Sequence, residues 1–104
     1  MGSYEKRMRT LKIEKSRARN WYSLPESVRQ RCKDVLTAIA GTEKVTEHPK
    51  VQLMDGTHKT IYRARIGEYR VIFTTYRDEL RVWKAGNRNG VYEGINTTYD
   101  RVSV

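Results

Sequence analysis

Arginines alternate with strand-forming residues in two segments of this chain, IYRARIGEYRVIF and LRVWKAGNRNGVY. Over residues 59–88, eight lysines and arginines stand against three aspartates and glutamates, an excess of five positive charges. Guanidinium groups carry forked N–H donors that match the oxygens of phosphate groups, so a row of them along a strand suits a phosphate-rich ligand. The two segments therefore predict a surface that binds a polyanion.

The composition of the whole chain agrees with this prediction and bounds its architecture. A length of 104 residues fits one small domain, predicted over residues 1–104 with flexible tails at residues 1–9 and 96–104. The formal net charge of +9 indicates nucleic acid, an anionic membrane or an acidic protein as the partner. No apolar run approaches the roughly 18–20 residues of a membrane-spanning helix, so we expect a soluble, cytoplasmic protein. The single cysteine, Cys32, fits a reducing compartment.

Two helices are predicted in the first half of the chain. Residues 15–24 carry Ala18, Trp21 and Tyr22 at helical spacing, which predicts a first helix. Residues 23–26 have the S-x-x-E form of a capping box, in which the Ser23 hydroxyl accepts a hydrogen bond from the Glu26 amide. A second helix of about 16 residues, antiparallel to the first, is therefore expected to begin there.

An apolar stripe supports the second helix, and a glycine marks its end. The stripe consists of Val28, Cys32, Val35, Leu36 and Ile39. These residues recur at the spacing of one helical face, which predicts that this face packs on the core. Gly41 follows at the position where a residue of left-handed conformation stops many helices.

Strands are predicted before and after the helices. Alternation of apolar residues predicts a short strand at residues 10–14, and residues 42–56 read as a connection. A hairpin of residues 59–66 and Tyr69–Tyr76 follows, in which Gly67 suits the first central position of a type II′ turn. Further strands are expected at residues 80–84 and 91–95. The element order β-α-α-β-β-β predicts an α+β fold, with two N-terminal helices on a small antiparallel sheet.

The hairpin register decides which side of the sheet carries the arginines. Side chains alternate across a strand, so Arg63 and Arg65 share one side, and Arg70 joins them from the second strand. The apolar residues of the other side are Tyr62, Ala64, Ile66, Tyr69, Val71 and Phe73. A register slip of one residue would bury three guanidinium groups, which is costly. The loop at residues 85–90 is expected to bring Arg88 and Tyr92 to the rim of the arginine face.

Such a surface can hold single-stranded RNA or DNA and can also cleave RNA. An aromatic ring stacks on an unpaired base, and clustered cations stabilise the extra negative charge of a phosphorane while a 2′-hydroxyl attacks. Additional RNA contacts are predicted at His58, Lys59, Arg81 and Lys84. The two histidines, His48 and His58, have no carboxylate or cysteine partners at ligand spacing, so we expect no metal site.

The hairpin YRARIGEYRVIF and the segment VWKAGNRNGVY resemble the RelE/ParE superfamily of toxins from toxin-antitoxin systems. The resemblance covers about residues 11–92 and rests on the pattern Tyr-Arg-x-Arg-x-Gly-x-Tyr-Arg-x-Ile and a closing Gly-x-Arg-x-x-x-Tyr. Membership in the RelE branch implies a microbial RNase fold that enters the ribosomal A site. It also implies metal-independent cleavage of mRNA by 2′-hydroxyl attack, and neutralisation by a cognate antitoxin.

The resemblance also assigns catalytic roles. Arg63 and Arg65 occupy the places of two basic residues, Arg70 stabilises the transition state, Arg88 is the closing-loop arginine often cast as general acid, and Tyr92 stacks on a base. Well-known RelE-like enzymes have lysines where this chain has Arg63 and Arg65. A guanidinium with a pKa above about 12 rarely gives up a proton, so electrostatic and positioning catalysis is expected, with the general base open.

Two alternatives share this fold. The ParE branch inhibits DNA gyrase and is not known for RNA cleavage, and a non-catalytic RNA- or DNA-binding module would need the same basic surface. The three arginines on one face, together with Arg88 and Tyr92, favour the RelE branch.

Overall fold

One α-helix packs on one face of a five-stranded sheet in the computed structural model, which describes residues 9–15, 18, 20–54 and 60–88. The helix, α1, is Glu26–Ala40, and the strands are β1 (Thr10–Lys12), β2 (Val51–Met54), β3 (Ile61–Ile66), β4 (Tyr69–Tyr76) and β5 (Glu79–Asn87). The fold class is α+β, as predicted. The predicted strand at residues 91–95, residues 1–8 and 96–104 of the predicted tails, His58, Lys59 and Tyr92 lie outside the described residues, whereas Arg9 of the first tail is held by hydrogen bonds. No helix in the described ranges is long and apolar enough to cross a membrane.

The predicted first helix, at residues 15–24, is wrong. The described part of this segment contains a single 3₁₀ turn, Trp21–Ser23. Asn20 just before it has φ 66° in the left-handed region, which interrupts a right-handed helix. Leu24 is extended because it precedes a proline. Trp21 is 2% exposed, so the apolar spacing of this segment reflects burial against the core without an α-helix.

The start of α1 differs from the predicted capping box. Pro25 is the N-cap residue, and within the described residues no side chain caps this end of the helix. The Arg29 guanidinium donates hydrogen bonds to the carbonyl oxygens of Leu24 (2.7 Å) and Tyr22 (3.3 Å), which ties the helix to the segment before it. The proline fixes an extended entry, so the Ser23 side chain does not reach the first turn.

The predicted left-handed stop at Gly41 is also wrong, because this residue has φ −86° and ψ −5°. The last carbonyl group of the helix and two carbonyl groups just after it accept hydrogen bonds from a side chain instead. Arg9 donates from its guanidinium to the carbonyl oxygens of Ala40 (3.4 Å), Thr42 (2.6 Å) and Glu43 (2.9 Å). A cation at this position also complements the negative end of the helix dipole.

The apolar stripe of α1 is confirmed. Its buried members are Val28, Cys32, Leu36 and Ile39, and Val35 is half-buried. They pack on a core that the sheet supplies through Ala64, Ile66, Val71, Phe73, Leu80, Val82 and Ala85. Burial of each large aliphatic side chain contributes roughly 1.5–3 kcal/mol, so this single layer of contacts holds the helix to the sheet.

The sheet is mixed, whereas a purely antiparallel sheet was predicted. The strand order is β1-β5-β4-β3-β2, in which β1 pairs in parallel with β5 and the other pairs are antiparallel. The segment predicted as a connection contains β2, which adds a fifth strand at the edge. β5 is longer than predicted and continues past Trp83 to Asn87, with an irregularity in its pairing to β4 between Ile72 and Phe73.

The hairpin register is the predicted one. Arg63 pairs with Ile72 and Arg65 with Arg70, while Ala64 pairs with Val71 on the helix side. Both turns of this part of the sheet have a positive φ at the first central residue, +62° at Gly67 and +56° at Arg77. Glycine accepts this conformation without strain, but a residue with a side chain pays a cost of about 1–2 kcal/mol.

Replacement of Gly67 by alanine should lower the free energy of unfolding by about 1–2 kcal/mol, because alanine is strained at positive φ. The new Cβ would also lie 3.2 Å from Nη1 of Arg31. Urea denaturation followed by tryptophan fluorescence measures the change. Gly41→Ala is the matched control, since φ is negative there. Equal losses of stability in the two variants would contradict the assigned turn geometry.

A candidate nucleic-acid groove on the outer face of the sheet

Cationic side chains form a row across the outer face of the sheet, opposite α1. The backbone N–H of Arg65 donates to the carbonyl oxygen of Lys50 (2.9 Å), and Arg65 in turn pairs with Arg70. The next row contains Gln52 and Arg63 at paired positions. Paired residues of neighbouring strands project on the same side, so these residues share one surface.

The rows line a groove of about 570 Å³. Its lining residues are Pro49, Lys50, Val51, Gln52, Arg63, Arg65, Arg70 and Arg88. Five of these are basic, and none of the described lining residues is acidic. The structure thus brings together four of the five predicted catalytic residues, and the fifth, Tyr92, falls outside the described ranges. A phosphate group that enters this groove meets guanidinium donors from more than one strand.

Neutral acceptors hold two of the guanidinium groups in place. Arg63 donates to the side-chain oxygen of Gln52 from Nε (3.1 Å) and from Nη2 (2.5 Å). Arg70 donates from Nη1 to the carbonyl oxygens of Gly67 and Tyr69, at 2.9 Å each. These acceptors carry no formal charge, so they set the positions of the guanidinium groups without cancelling their electrostatic field. Such fixed donors are the arrangement that stabilises charge developing on a phosphate.

Arg88 reaches the groove from the end of β5. Its backbone N–H donates to the Glu68 carbonyl (2.8 Å), and its Nε lies 3.4 Å from Oε1 of the same residue. The two side chains are 58% and 71% exposed, so this ion pair contributes roughly 0–1 kcal/mol. A phosphate group can therefore replace the Glu68 carboxylate as the partner of Arg88 at little cost.

Lys84 and Arg81, two of the other predicted RNA contacts, are not among the described residues that line the groove. Lys84 is 4% exposed and pairs with Ile72 in the sheet. Arg81 lies near the opposite end of the outer face, where its Nε donates to Glu79 (2.7 Å). His58 and Lys59 are outside the described part of the chain.

Two groove residues, Lys50 and Gln52, were not predicted from the sequence. Both belong to the segment interpreted as a connection, and β2 brings them beside the arginines. The sequence does carry a weak indication of this strand. Residues 51–53 alternate apolar and polar side chains, and the dipeptides His48-Pro49 and Asp55-Gly56, which are typical of turns, flank the segment. With only four residues, this strand is too short for periodicity alone to identify it.

Neither Cys32 nor any acidic residue with a described position lines the groove. Burial raises the pKa of the Cys32 thiol, and Arg31 nearby lowers it by a smaller amount. Cys32 is 0% exposed in the apolar face of α1, and a thiol in this setting is unreactive. Among the residues with described positions, no three His, Cys, Asp or Glu side chains stand together as metal ligands would.

The fold and the groove define a class: a small α+β protein whose sheet presents an arginine-lined surface to phosphate groups. The chain is similar to a chain of the archaeal RelE-RelB complex from Pyrococcus horikoshii OT3, with a TM-score of 0.60 and 26% identity over 81% of this chain and 99% of that chain. It is also similar to a chain of the RelB-RelE antitoxin-toxin complex from Methanococcus jannaschii, with a TM-score of 0.59 and 18% identity over 78% and 94% of the two chains. No protein-family model and no curated protein matches the sequence. These similarities show a RelE-like fold.

Replacement of Lys50 by glutamine should weaken binding of a single-stranded oligoribonucleotide roughly fourfold at 0.15 M salt, as the loss of one phosphate contact predicts. The slope of log affinity against log salt should become about 0.7 less steep. Fluorescence anisotropy at several salt concentrations measures both quantities. Lys44→Gln removes the same charge from an exposed residue outside the groove and should leave the slope unchanged. Equal effects of the two substitutions would show that only the overall charge matters.

Proposed function

We propose that this chain is a RelE-like toxin, an endoribonuclease that cleaves mRNA at the ribosomal A site and is neutralised by a cognate antitoxin. The observation that carries the proposal is the convergence of Arg63, Arg65, Arg70 and Arg88 on one groove. The similarity of the fold to chains of RelE-RelB complexes also supports the proposal.

The proposed reaction is transesterification of the RNA backbone without a metal ion. The 2′-hydroxyl oxygen attacks the adjacent phosphorus as it loses its proton, and the bond from phosphorus to the 5′ oxygen breaks. The leaving 5′ oxygen takes up a proton, so the products are a 2′,3′-cyclic phosphate and a 5′-hydroxyl. The phosphorane on this path carries one more negative charge than the substrate, and guanidinium groups placed around it lower its energy.

Each arginine has a role that follows from its position. Arg65 and Arg70 are direct partners across β3 and β4, so they contact one phosphate together. Arg63 is held by Gln52 and orients the neighbouring nucleotide. Arg88 exchanges its exposed Glu68 partner for the phosphate and stabilises the leaving oxygen.

Catalysis in this proposal works through charge and position. A guanidinium group keeps its proton over the pH range in which proteins are folded, so the four arginines donate hydrogen bonds without transferring protons. Fixing the attacking and leaving groups in line provides the second contribution to the rate. The family resemblance gives Tyr92 the role of stacking on a base of the RNA.

The proposed partners follow from the same groove. An antitoxin that presents carboxylates to the groove would occupy the positions of RNA phosphates, since both anions fit the guanidinium fork. The structures of similar fold are complexes of RelE with RelB, which supports a protein partner of this kind. A target on the ribosome places the protein in the cytoplasm.

Substitution of Arg70 or Arg88 by alanine should relieve the growth arrest caused by expression of the wild-type chain. Loss of one donor to the transition state should lower single-turnover cleavage of ribosome-bound mRNA by about 10²–10³-fold. Toe-printing detects the cleavage sites, which we expect at the A-site codon. Lys44→Gln should leave the rate unchanged.

Unchanged toxicity of both alanine variants, at wild-type expression levels, would contradict the proposal. A DNA gyrase supercoiling assay with the purified protein provides the complementary test. Inhibition of gyrase without mRNA cleavage would assign the chain to the ParE-like alternative. Salt-sensitive RNA binding with neither activity would identify a non-catalytic module.

A further inference from the structure

A second aromatic and cationic cluster lies at the other end of the outer sheet face. Tyr76, the last residue of β4, is 53% exposed. The guanidinium carbons of Arg77 and Arg81 lie 5.3 Å and 5.2 Å from the centroid of its ring. Lys12 is the partner of Arg81 across β1 and β5. We call Tyr76, Arg77 and Arg81 the distal cluster.

The backbone of Arg77 is an independent sign that this cluster has a use beyond stability. Arg77 takes φ +56° at the same position of its turn that Gly67 occupies in the preceding turn. A bulky residue at positive φ is an outlier, and such strain collects at functional sites. Arg77 is also exposed, and its cation–π contact with Tyr76 is the interaction that the structure gives its side chain. The strain therefore places a guanidinium group where glycine would fit better.

We propose that the distal cluster is a second contact for single-stranded RNA. Guanidinium groups beside an exposed aromatic ring bind phosphates and stack with unpaired bases. Lys12, Arg77 and Arg81 supply three positive charges here, against two negative charges from Asp78 and Glu79.

Glu79 orders the cluster by holding its cations. Its carboxylate accepts from Nε of Arg81 (2.7 Å) and lies 4.0 Å from Nζ of Lys12. The exposed ring of Tyr76 favours RNA over an acidic peptide as the ligand, because an unpaired base stacks on an aromatic ring and a carboxylate group does not.

The distal cluster is separate from the groove. Arg70 and Tyr76 are six residues apart on β4, which corresponds to about 20 Å along a strand. Between them the outer face is closed by Ile61 and Ile72, which are 0% exposed. The inference rests on the proposed function in taking RNA as the ligand, but it adds a site that the cleavage reaction does not need. A second contact lets the protein hold two stretches of RNA at once.

NMR of arginine side chains tests the two sites independently. The isotope-labelled chain is titrated with hexauridylate, and the Nε–H signals are followed. We expect the signals of Arg77 and Arg81 to shift together with one dissociation constant, and those of Arg63 and Arg70 with another. The signal of Arg29, whose guanidinium donates to carbonyl groups just before α1, should not shift.

Two substitutions separate binding from stability. Arg77→Gly removes the guanidinium and relieves the backbone, so Tm should rise by a few degrees while the affinity of the distal cluster falls several-fold. Arg81→Gln should weaken the same site without raising Tm. Lys44→Gln should change neither quantity. Affinities of Arg77→Gly and Arg81→Gln equal to that of the control would overturn the inference.

The remaining outcomes distinguish this inference from the proposed function. Shifts confined to Arg63 and Arg70 would overturn the distal site and leave the groove intact. Shifts confined to Arg77 and Arg81 would support the distal site while contradicting RNA binding by the groove. A twelve-residue oligoglutamate that binds the distal cluster when hexauridylate does not would assign it to an acidic protein and overturn the RNA contact.

Discussion

The register of the β3–β4 hairpin is the constraint on which the rest of the structure depends. A two-residue turn at Gly67 and Glu68 leaves one pairing in which Ala64, Ile66, Val71 and Phe73 face the helix side of the sheet and join its core. Side chains have a period of two along a strand, so the same pairing sends every arginine of the hairpin to the other side. The strand pairing that forms the core therefore also assembles the arginine groove. A slip by one residue would expose the core and bury the guanidinium groups together.

Concentrating like charges on one surface has an energetic cost, and the sheet limits that cost in two ways. The groove is open to water, where the repulsion between charges is small compared with that in a protein interior. The acceptors described for Arg63 and Arg70 include an amide side chain and two backbone carbonyl groups, which fix the guanidinium groups without adding negative charge. A carboxylate in those places would bind more strongly but would cancel the field that attracts phosphate.

Local patterns in the sequence were sufficient for the hairpin, the apolar stripe of α1 and the grouping of the arginines, because each depends on periodicity within a few residues. They were insufficient where distant segments decide the structure. The parallel pairing of β1 with β5 joins residues near both ends of the described chain, and β2 becomes a strand through its pairing with β3. The predicted helix at residues 15–24 is an error of the other kind, an element predicted but not present. The helical spacing of Trp21 reflects its burial on the core, and the left-handed conformation of Asn20 interrupts a helix there. Lys50 and Gln52 were missed for the same reason as β2.

The two hairpin turns show how the fold separates stability from binding. Both require positive φ at the first central position, and the turn beside the groove meets this with Gly67, whose missing side chain leaves room for Arg31. The turn at the other end uses Arg77 and accepts the strain. The groove obtains Arg63, Arg65 and Arg70 from strand positions, where backbone geometry already suits an arginine, and Lys50 and Arg88 from residues next to strands. At the distal end, a strand position of β5 supplies Arg81 and the turn supplies Arg77. The second cation beside Tyr76 therefore comes from a turn position where the backbone disfavours a side chain, and this is the strain seen at Arg77.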